Sequence, residues 1–579
     1  MELFRKRECS ERLGVNMKNT ELNNVKELIA YSVKNFPNDT AFTVKIKAND
    51  EVDYRKISYK EFGEEINAFG TELLSLGLKD KRVAIIGKNS YEWMLSYCTI
   101  LNGVGIVVPL DKGLPEEEII YSLQKSKADA IIYEKEYSSI MEKIKNEKLC
   151  NVEKYIQTSD IPNLIKNGKE KIENGDTSYI DREIDNEKMS IILFTSGTTS
   201  LAKAVMLSHK NIVSNVSAMN KTYKFFSSDV NIAFLPFHHT FGSTAILLML
   251  SNGVNNVFCD GLRHVQENLK EYKVSVFVSV PLILESMHKK IMQTIEKTGK
   301  TKMVKTAKKV SECLLNIGID VRRKLFKEII DNLGGSLRFV FTGAAALNKQ
   351  VSKDFNAFGI NTIQGYGLTE TSPVVSGELP TKIRYGSVGT PLDNVQMRII
   401  EPDANGVGEI AVKGPNVMLG YYEDEEATNK VLKDGWFYTG DLGYKGKDNY
   451  FYISGRKKSV IVLKNGKNIY PEELETLVNE LPYVSESMVF GFPKGDDSII
   501  SVKIVYNKEY INNNYPNVSR EELEELIWND IKDKVNSRLI NFKHIKKLIV
   551  TDEPMIKTTT AKIKRYKEFQ KILDEEAKK

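Results

Sequence analysis

The sequence predicts an α/β protein: a large N-terminal domain of two doubly wound α/β subdomains plus a small β subdomain, followed by a small α+β C-terminal domain. Three observations lead to this expectation. The 579 residues exceed what one hydrophobic core usually serves. Apolar, strand-like runs alternate with longer segments of helical period. Glycine-rich, strand-like sequence from about Gly386 to Gly420 then interrupts the alternation.

The elements can be assigned in chain order. A helical pattern covers Tyr59 to Leu76, and it lies among the strand-like runs Val83–Ile86, Ile191–Phe194 and Leu337–Phe341. The tail from about Ser459 mixes α and β patterns and contains a strongly charged helix near Arg520 to Asn536. The sequence GRKKS at 455–459 marks the main boundary. We therefore expect domains at 1–455 and 460–579, joined by residues 456–459.

Composition excludes several classes of protein. Hydrophobic residues make up 41% of the chain and charged residues 27%, which is ordinary globular composition. Lys and Arg exceed Asp and Glu by only five, so no nucleic-acid partner is expected. The start has no secretory apolar region, and no apolar stretch is long enough to span a bilayer.

The cysteines indicate a reducing compartment. They are too few and too scattered for a disulfide scaffold, and none forms a CxxC pair. Their positions are Cys9, Cys98, Cys150, Cys259 and Cys313. We expect a cytoplasmic protein, with attachment to a membrane surface left open.

Lysines dominate the segment from Lys289 to Lys309. Apolar residues with three-four spacing run from Ala307 to Leu325, and together with the lysines they predict a lysine-bearing amphipathic helix. These residues are Ala307, Val310, Leu314, Ile317, Val321 and Leu325. The ordinary interpretation is a solvated face over a packed stripe. The alternative is peripheral contact with an acidic lipid surface or an acidic partner.

A polar loop follows the strand Ile191–Phe194. It reads TSGTTSLAKAV from Thr195 to Val205, and Ser208 after it can cap a helix that starts near His209. Hydroxyl groups can donate to phosphate oxygens, a glycine lets backbone amides approach, and Lys203 adds positive charge. The hydroxyl and glycine positions are Thr195, Ser196, Gly197, Thr198 and Thr199. The spacing does not match the P-loop pattern GxxxxGK[ST].

Two further glycine-containing motifs suit a nucleotide. In TGAAAL, which follows a strand, Gly343, Ala344 and Ala345 are small enough to let a flat ring lie against the backbone. In QGYGLTE the aromatic ring of Tyr366 can face adenine, and Glu370 offers a hard oxygen ligand for magnesium. The remaining positions of this motif that we assign to cofactor binding are Gln364, Gly365, Gly367 and Thr369, whose hydroxyl can reach phosphate.

FTSGTTSLAKAVMLSH closely resembles the signature of the acyl-adenylate-forming, AMP-binding superfamily of acyl-CoA synthetases, luciferases and peptide-synthetase adenylation domains. Ser200, Ala202 and Ala204 depart from the commoner form TSGTTGxPKGV. Further motifs follow in the family's order, so the resemblance covers about Asn23 to Arg565. It implies an adenylation domain over residues 1–455, a hinge, and a mobile C-terminal domain.

The resemblance also implies roles for single residues. His239 in LPFHHTFG would stand between the acyl pocket and the nucleotide, and Asp441 in GWFYTGDLG would bind the ribose hydroxyls. Arg456 in ISGRKKS would contact ribose or phosphate, and Lys458 falls at the hinge. Lys562 in PMIKTTTAKIKR matches the catalytic lysine, although Ala561 replaces the usual glycine. Lys464 and Gly466 in VLKNGKNIYPEELE would meet the pantetheine arm of coenzyme A.

The implied reaction has two steps. A carboxylate attacks the α-phosphorus of ATP to give acyl-AMP and pyrophosphate, and a thiol, expected to be that of coenzyme A, then releases AMP. Positioning and charge compensation by magnesium at Glu370 and by the lysines would drive it. The residues assigned to catalysis are Lys562, Thr195, Lys203, His239 and Glu370.

A medium or long fatty acid is the expected substrate. LPFHHTFG lacks the aspartate with which peptide-synthetase domains hold an amino group, and the lysine-rich insertion resembles long-chain fatty acid:CoA ligases. One alternative is transfer to acyl carrier protein instead of coenzyme A. Another is a catalytically silent nucleotide-binding regulator, and a luciferase-like oxygenase is more remote. The sequence does not predict the oligomeric state.

Overall fold

The computed structural model describes residues 22–48, 51–195, 203–464, 467–494, 497–557 and 563–577. The described residues form two compact units. The first unit lies within Met1–Thr195, Ala202–Gln396 and Val412–Phe437, and the second within Met397–Ala411 and Tyr438–Lys579. The predicted hinge at 456–459 stays a prediction.

The strands are numbered in chain order. They are β1 (Thr40–Ala48), β2 (Glu51–Ser58), β3 (Lys81–Ile86), β4 (Gly105–Leu110), β5 (Ala130–Tyr133), β6 (Lys154–Gln157), β7 (Met189–Thr195), β8 (Lys203–Ser208), β9 (Val230–Ala233), β10 (Asn255–Phe258), β11 (Val276–Ser279), β12 (Phe339–Thr342), β13 (Asn361–Gly367), β14 (Val374–Gly377), β15 (Thr390–Pro391), β16 (Gln396–Ile400), β17 (Gly408–Lys413), β18 (Gly420–Tyr421), β19 (Leu432–Lys433), β20 (Trp436–Lys445), β21 (Phe451–Arg456), β22 (Ile461–Val462), β23 (Asn468–Ile469), β24 (Val484–Lys494), β25 (Asp497–Tyr506) and β26 (Lys547–Thr551).

The α-helices are numbered in the same way. They are α1 (Val25–Asn35), α2 (Tyr59–Ser75), α3 (Tyr91–Thr99), α4 (Glu116–Ser126), α5 (Ser138–Asn146), α6 (Ile161–Glu173), α7 (His209–Thr222), α8 (Thr240–Leu250), α9 (Val265–Glu271), α10 (Pro281–Lys297), α11 (Thr301–Asn316), α12 (Arg322–Leu325), α13 (Lys327–Asn332), α14 (Lys349–Ala357), α15 (Glu425–Val431), α16 (Pro471–Val478), α17 (Lys508–Asn514), α18 (Arg520–Asp530) and α19 (Arg565–Glu576). No helix of the described residues is long and apolar enough to cross a membrane.

Two large sheets build the first unit. The seven-stranded sheet has the order β18-β8-β7-β4-β3-β5-β6, and the nine-stranded sheet has the order β15-β14-β13-β12-β11-β9-β10-β1-β2. The central strands are parallel and buried, as in Val83–Ile86 of β3, whose exposed fractions do not exceed 1%. The predicted doubly wound α/β architecture is confirmed.

The second unit is smaller. Here β16, β17, β20 and β21 are neighbours in one small sheet, and β24, β25 and β26 form another. The apolar core of the latter includes Leu474 of α16, Val502 of β25 and Ile527 of α18, all buried. The helix α19 carries Glu568, which lies 2.6 Å from Lys503 with both side chains buried. This mixed α and β character matches the prediction for the tail.

The prediction of one continuous lysine-bearing helix is wrong. The segment forms two helices, α10 and α11, separated at Gly299, whose φ of +67° suits glycine at a helix end. The apolar stripe that was predicted to pack is not buried at its far end, because Ile317 and Leu325 are 69% and 47% exposed. The exposed residues beyond Asn316 therefore need an explanation other than core packing.

Candidate active site

A hairpin of the seven-stranded sheet holds both described ends of the predicted phosphate loop. Thr195 ends β7 and Lys203 begins β8, and the two residues pair across the antiparallel strands. The Thr195 hydroxyl donates to the Lys203 carbonyl oxygen at 3.4 Å. Ser196, Gly197, Thr198 and Thr199, with Ser200 and Ala202, lie outside the described residues. The hairpin register therefore fixes where the loop starts and ends.

The short strand β18 brings a tyrosine to this hairpin. It pairs antiparallel with β8, so that Tyr421 lies opposite Val205. The Lys203 ammonium lies 4.2 Å from the centroid of the Tyr421 ring, which is a cation–π distance. Although β18 ends the glycine-rich stretch predicted as a small β subdomain, it joins the seven-stranded sheet. Tyr421 was not predicted as a site residue.

The same tyrosine contacts the predicted magnesium ligand. The Tyr421 hydroxyl donates to Glu370 Oε1 at 3.0 Å, and the Glu370 carbonyl oxygen accepts a hydrogen bond from the Met418 amide at 2.8 Å. Burial, and then the Glu370 charge, raise the pKa of Tyr421 above its usual value, so the phenol remains a donor at neutral pH. We call Lys203, Glu370 and Tyr421 the Glu370 corner.

The donors in this corner fit magnesium bound with a nucleotide. No group of three or more His, Cys, Asp or Glu side chains that could hold a metal occurs in the described ranges. Glu370 thus offers one half-buried carboxylate rather than part of a protein cage. Magnesium commonly takes one or two carboxylates together with waters and substrate phosphates. A single carboxylate beside a lysine suits that mode of binding.

The predicted adenine loop leaves the carboxyl edge of the nine-stranded sheet. Strands β12 and β13 are parallel, with Thr342 opposite Gln364, so TGAAAL and QGYGLTE begin side by side. Gly343 is buried, whereas Ala344, with a φ of +70°, and Ala345 are exposed. The Leu347 amide donates to Gln364 Oε1 at 3.1 Å. Gln364 therefore ties the loop to β13.

The buried Glu378 is hydrogen-bonded to the backbone of Gln364. The Gln364 amide donates to Glu378 Oε2 at 3.0 Å, and the Glu378 amide donates to the Gln364 carbonyl oxygen at 2.9 Å. Burial raises the pKa of Glu378 to about 7. Sequence reasoning missed this residue, because a lone glutamate after an apolar strand carries no distinguishing pattern.

The glycines of QGYGLTE are required by packing. A Cβ on Gly365 would lie 2.4 Å from the Phe341 ring, and one on Gly367 would lie 1.9 Å from the Pro373 carbonyl oxygen. Tyr366 and Thr369 are half-buried on either side of Gly367. Their predicted contacts with a nucleotide stay predictions, whereas the need for glycine has a reason within the protein itself.

His239 stands at the start of helix α8. Its carbonyl oxygen accepts hydrogen bonds from the Gly242 and Ser243 amides, and its half-buried ring lies 4.6 Å from that of His238. The next turns of α8 supply Phe241, Ala245 and Leu248 to an apolar cavity. The helix that follows His239 thus forms one wall of that cavity.

The apolar cavity has a volume of about 20 Å³, which is room for about one water molecule. Besides α8, its walls come from Met219 on α7, Val278 on β11 and Phe341 on β12. Pro373 and Val374, which follow the turn that carries Glu370, close another side. Two residues of the hydrocarbon-lined slot, Pro373 and Val374, therefore follow Glu370 closely in the sequence.

In the second unit, two predicted nucleotide contacts come together. The β20–β21 register sets Asp441 opposite Arg456, and Arg456 Nε lies 2.7 Å from Asp441 Oδ1. The Asp441 side chain is 6% exposed and that of Arg456 is 52% exposed. The Asp441 amide donates to the Thr439 hydroxyl oxygen at 3.1 Å. The carboxylate is thus held inside the small sheet with its partner at the surface.

The remaining predicted residues are more dispersed. Lys458 is exposed in a short 3₁₀ turn, and Lys464 is exposed after β22. Lys562, with Ala561, and Gly466 lie outside the described residues. The predicted roles of these positions stay predictions.

The β7–β8 hairpin holds the ends of the predicted phosphate loop, and the Glu370 corner lies beside it on doubly wound sheets. This arrangement is that of a nucleotide-dependent enzyme that activates carboxylates. The family profile described as AMP-binding enzyme matches residues 29–422, and that described as AMP-binding enzyme C-terminal domain matches residues 458–576. The chain belongs to the AMP-binding enzyme family. This confirms the predicted superfamily and the class of AMP-forming acid:thiol ligases.

Two relatives show the range of this family. The chloroplastic long-chain-fatty-acid–acyl-carrier-protein ligase AEE15 of Arabidopsis thaliana is 26% identical over 594 residues, covering 88% of this chain and 81% of the relative. Long-chain-fatty-acid–CoA ligase 1 of Homo sapiens is 30% identical over 480 residues, covering 76% and 68%. Their names state different acyl acceptors.

A solved structure shows the same fold. An anthranilate CoA ligase in complex with anthranoyl-AMP superposes with a TM-score of 0.74 at 20% identity, covering 94% of this chain and 96% of that one. At that identity the likeness concerns the fold alone. The predicted fold class is confirmed on this basis as well.

Proposed function

We propose that the protein activates a medium- or long-chain fatty acid with ATP and magnesium, and transfers the acyl group to coenzyme A. The observation that carries the substrate class is the apolar cavity beside the Glu370 turn. Among its lining residues no charged side chain occurs, and Phe241, Leu248 and Met249 present hydrocarbon to it. A lining of hydrocarbon favours an alkyl chain, because burial of apolar surface is favourable, and the cavity must widen to admit one.

The first step is adenylation. The acid's carboxylate oxygen forms a bond to the α-phosphorus of ATP, and the bond to pyrophosphate breaks. Both reactants are anionic, so the protein must supply positive charge and fixed geometry. Lys203 supplies an ammonium held over the Tyr421 ring, and the Tyr421 hydroxyl orients the Glu370 carboxylate. Magnesium held by Glu370 would supply further charge compensation at the phosphates.

Other groups bind the nucleotide and the intermediate. We assign the ribose hydroxyls to Asp441, because a carboxylate can accept two hydrogen bonds, and a ribose or phosphate contact to Arg456. Lys562 is assigned to the adenylation step from its motif alone, and Lys458 to the hinge between the two reaction states. In the second step the thiol attacks the acyl carbonyl carbon, and AMP leaves with the bridging oxygen.

Acyl carrier protein is the alternative acceptor. The Arabidopsis relative named for that acceptor aligns over more of this chain than the human relative named for coenzyme A, although at lower identity. Coenzyme A is preferred because VLKNGKN at 462–468 resembles the CoA ligases. The silent-regulator alternative is disfavoured, since Lys203, Glu370 and Asp441 are all present.

The test is a panel of acids. Purified protein, ATP and magnesium are incubated with saturated fatty acids of increasing length, an aromatic acid and an amino acid, with coenzyme A, with carrier protein or with neither. Mass spectrometry then reads acyl-AMP and thioesters. We expect acyl-CoA from fatty acids only, and its loss in Lys562→Ala. Acyl carrier protein as the only acceptor would select the alternative, and no adenylate from any acid would contradict the proposal.

A variant of the cavity tests the substrate site. Ala245 lines the cavity on α8, so Ala245→Phe places a ring in the slot. Activity with long acids should fall about tenfold or more while short acids remain substrates, because the ring takes up space that a longer chain needs. The short acid serves as an internal control for folding. Equal losses for all acids would place the alkyl chain elsewhere.

We also propose peripheral contact with a membrane through residues 289–309. Fatty acids partition into bilayers, and this segment contains eight lysines and one glutamate.

A further inference from the structure

Large apolar side chains are exposed along one face of α11 and beyond its end. Met303, Val310 and Ile317 are 60%, 46% and 69% exposed. Their spacing of seven residues places Met303 and Val310 on one helix face, two turns apart, with Ile317 following at the helix end. Ile319 and Leu325, at 49% and 47%, continue this apolar exposure past Gly318.

Exposed lysines occupy the neighbouring face of the helix, about 100° around it from Met303 and Val310 for Lys302 and Lys309. Lys302, Lys305 and Lys309 are exposed, and in the described part of the chain no ion pair involves them. Two other lysines are paired: Lys300, just before the helix, lies 2.6 Å from Glu328, and Lys308 lies 2.6 Å from Asp354. The exposed lysines and the apolar residues Met303, Val310, Ile317, Ile319 and Leu325 are together called the α11 surface.

The helix itself is firmly held by the first unit. Val304 and Ser311 are 7% and 2% exposed, so the face of α11 about 100° around the helix from Met303 and Val310 is packed. Asp354, on α14, accepts Lys308 on one carboxylate oxygen and lies 2.8 Å from His288 Nε2 through the other. Exposure of the α11 surface is therefore a property of a docked helix and not of a helix that has failed to pack.

We propose that the α11 surface binds the interface of an anionic lipid bilayer. Lysines attract acidic headgroups, and apolar side chains at the tip of a docked helix enter the boundary between headgroups and acyl chains. The loop at Ile317–Ile319, with Gly318 between two exposed isoleucines, suits shallow insertion. This inference rests on the proposed function in one respect, since a fatty acid substrate would be taken from the same bilayer.

An acidic carrier protein would match the same lysines. The bilayer is favoured because the exposed acidic side chains between Lys302 and Leu325 are only Glu312 and Asp320, and Asp320 is paired with Arg322, so that little defines the register of a protein partner. A lipid surface needs no register, because it binds charge and apolar area regardless of exact position.

The experiment is co-sedimentation with vesicles of phosphatidylcholine, with and without phosphatidylglycerol, in the absence of ATP and acid. Wild-type protein should bind the anionic vesicles, and added salt should weaken binding. Lys302→Gln/Lys305→Gln/Lys309→Gln and Met303→Ser/Val310→Ser/Ile317→Ser should each lower the partition coefficient about tenfold or more.

Matched controls come from other exposed positions. Ile46→Ser/Val52→Ser/Leu262→Ser removes equally exposed apolar groups, and Lys60→Gln/Lys188→Gln/Lys430→Gln removes equal charge. Both controls should bind vesicles like wild type. Equal losses in the controls, or undiminished binding by the α11 variants, would overturn the proposal.

Two further readouts separate the explanations. Ligase activity on detergent-dispersed acid should be unchanged in the α11 variants, and parallel loss of activity and vesicle binding would count against a surface role. Binding to carrier protein that is lost in the lysine variant, with no vesicle binding by wild type, would assign the surface to the acceptor. Vesicle binding by a protein without ligase activity would leave this inference standing while the proposed function fails.

Discussion

The Glu370 corner and the Asp441–Arg456 pair hold opposite charges in different ways. In the corner, Lys203 and Glu370 are linked through the neutral phenol of Tyr421, which contacts one by its ring and the other by its hydroxyl. In the second unit, Asp441 and Arg456 neutralise each other directly at 2.7 Å. An ammonium and a carboxylate that do not neutralise each other remain available to phosphate and metal, whereas a formed ion pair must share its groups with a ligand. The corner should therefore govern rate, and the pair should govern nucleotide affinity.

The largest expected effect follows from removing the corner's charge. Glu370→Gln keeps the shape and can still accept from Tyr421, but it loses the ionised oxygen for magnesium. The kcat of adenylation should fall about a thousandfold, as for loss of a major electrostatic contact. Acid-dependent exchange of pyrophosphate into ATP, over a magnesium titration, measures it. Glu425→Gln, on the exposed start of α15, is the control, and a loss of less than about threefold in Glu370→Gln would break the comparison.

A second prediction concerns Glu378, which supports Gln364 beneath the adenine loop. Its pKa is raised from 4.5 to about 7 by burial, so folding favours the protonated form. The stability gained from it is fully present below pH 4.5 and is lost as pH rises through about 7. Glu378→Gln does not titrate. The free energy of unfolding of the variant minus that of wild type should therefore rise over this interval, by up to about 3 kcal/mol. Urea denaturation across pH measures it, and a difference that is flat with pH would contradict the argument.

The Asp441–Arg456 pair should affect the affinity for ATP instead of the rate of adenylation. Asp441→Asn should raise the KM for ATP about thirtyfold and change kcat by less than about threefold, because the ribose contact is made equally in ground and transition states. Arg456→Gln should act in the same direction. The double variant should lose less than the sum, since the two side chains are in contact. An effect confined to kcat would contradict this and would show that the Asp441–Arg456 pair acts on the rate, as the Glu370 corner does.

The smallest effect separates the two contacts of Tyr421. Tyr421→Phe keeps the ring under Lys203 and removes the donor to Glu370, so kcat should fall about tenfold, the value of a hydrogen bond to a charged group. Tyr421→Leu also removes the cation–π contact and should lower activity further. Steady-state pyrophosphate release measures both. The neighbouring Tyr422→Phe is the matched control, and equal losses in Tyr422→Phe would contradict a specific role for Tyr421.

Sequence motifs predicted the residues that carry charge, while the contacts that orient them required the fold. Lys203 and Glu370 lie in recognisable motifs, but Tyr421 reaches them only because β18 pairs with β8 instead of staying in the small sheet. Gly365 and Gly367 were assigned to ligand contact, and the structure gives them a packing reason. The three-four pattern from Ala307 to Leu325 predicted helix correctly as far as Asn316 but not the break at Gly318, whose φ is +83°, because periodicity does not register a single positive-φ residue.

Labelling of the acid's carboxylate oxygens tests adenylation most directly. Fatty acid labelled with oxygen-18 in both carboxylate oxygens is incubated with ATP, magnesium and coenzyme A, and the AMP product is weighed by mass spectrometry. If the carboxylate attacks the α-phosphorus, each AMP formed with acyl-CoA gains one labelled oxygen. Unlabelled AMP, or acyl-CoA formed together with ADP, would contradict the account.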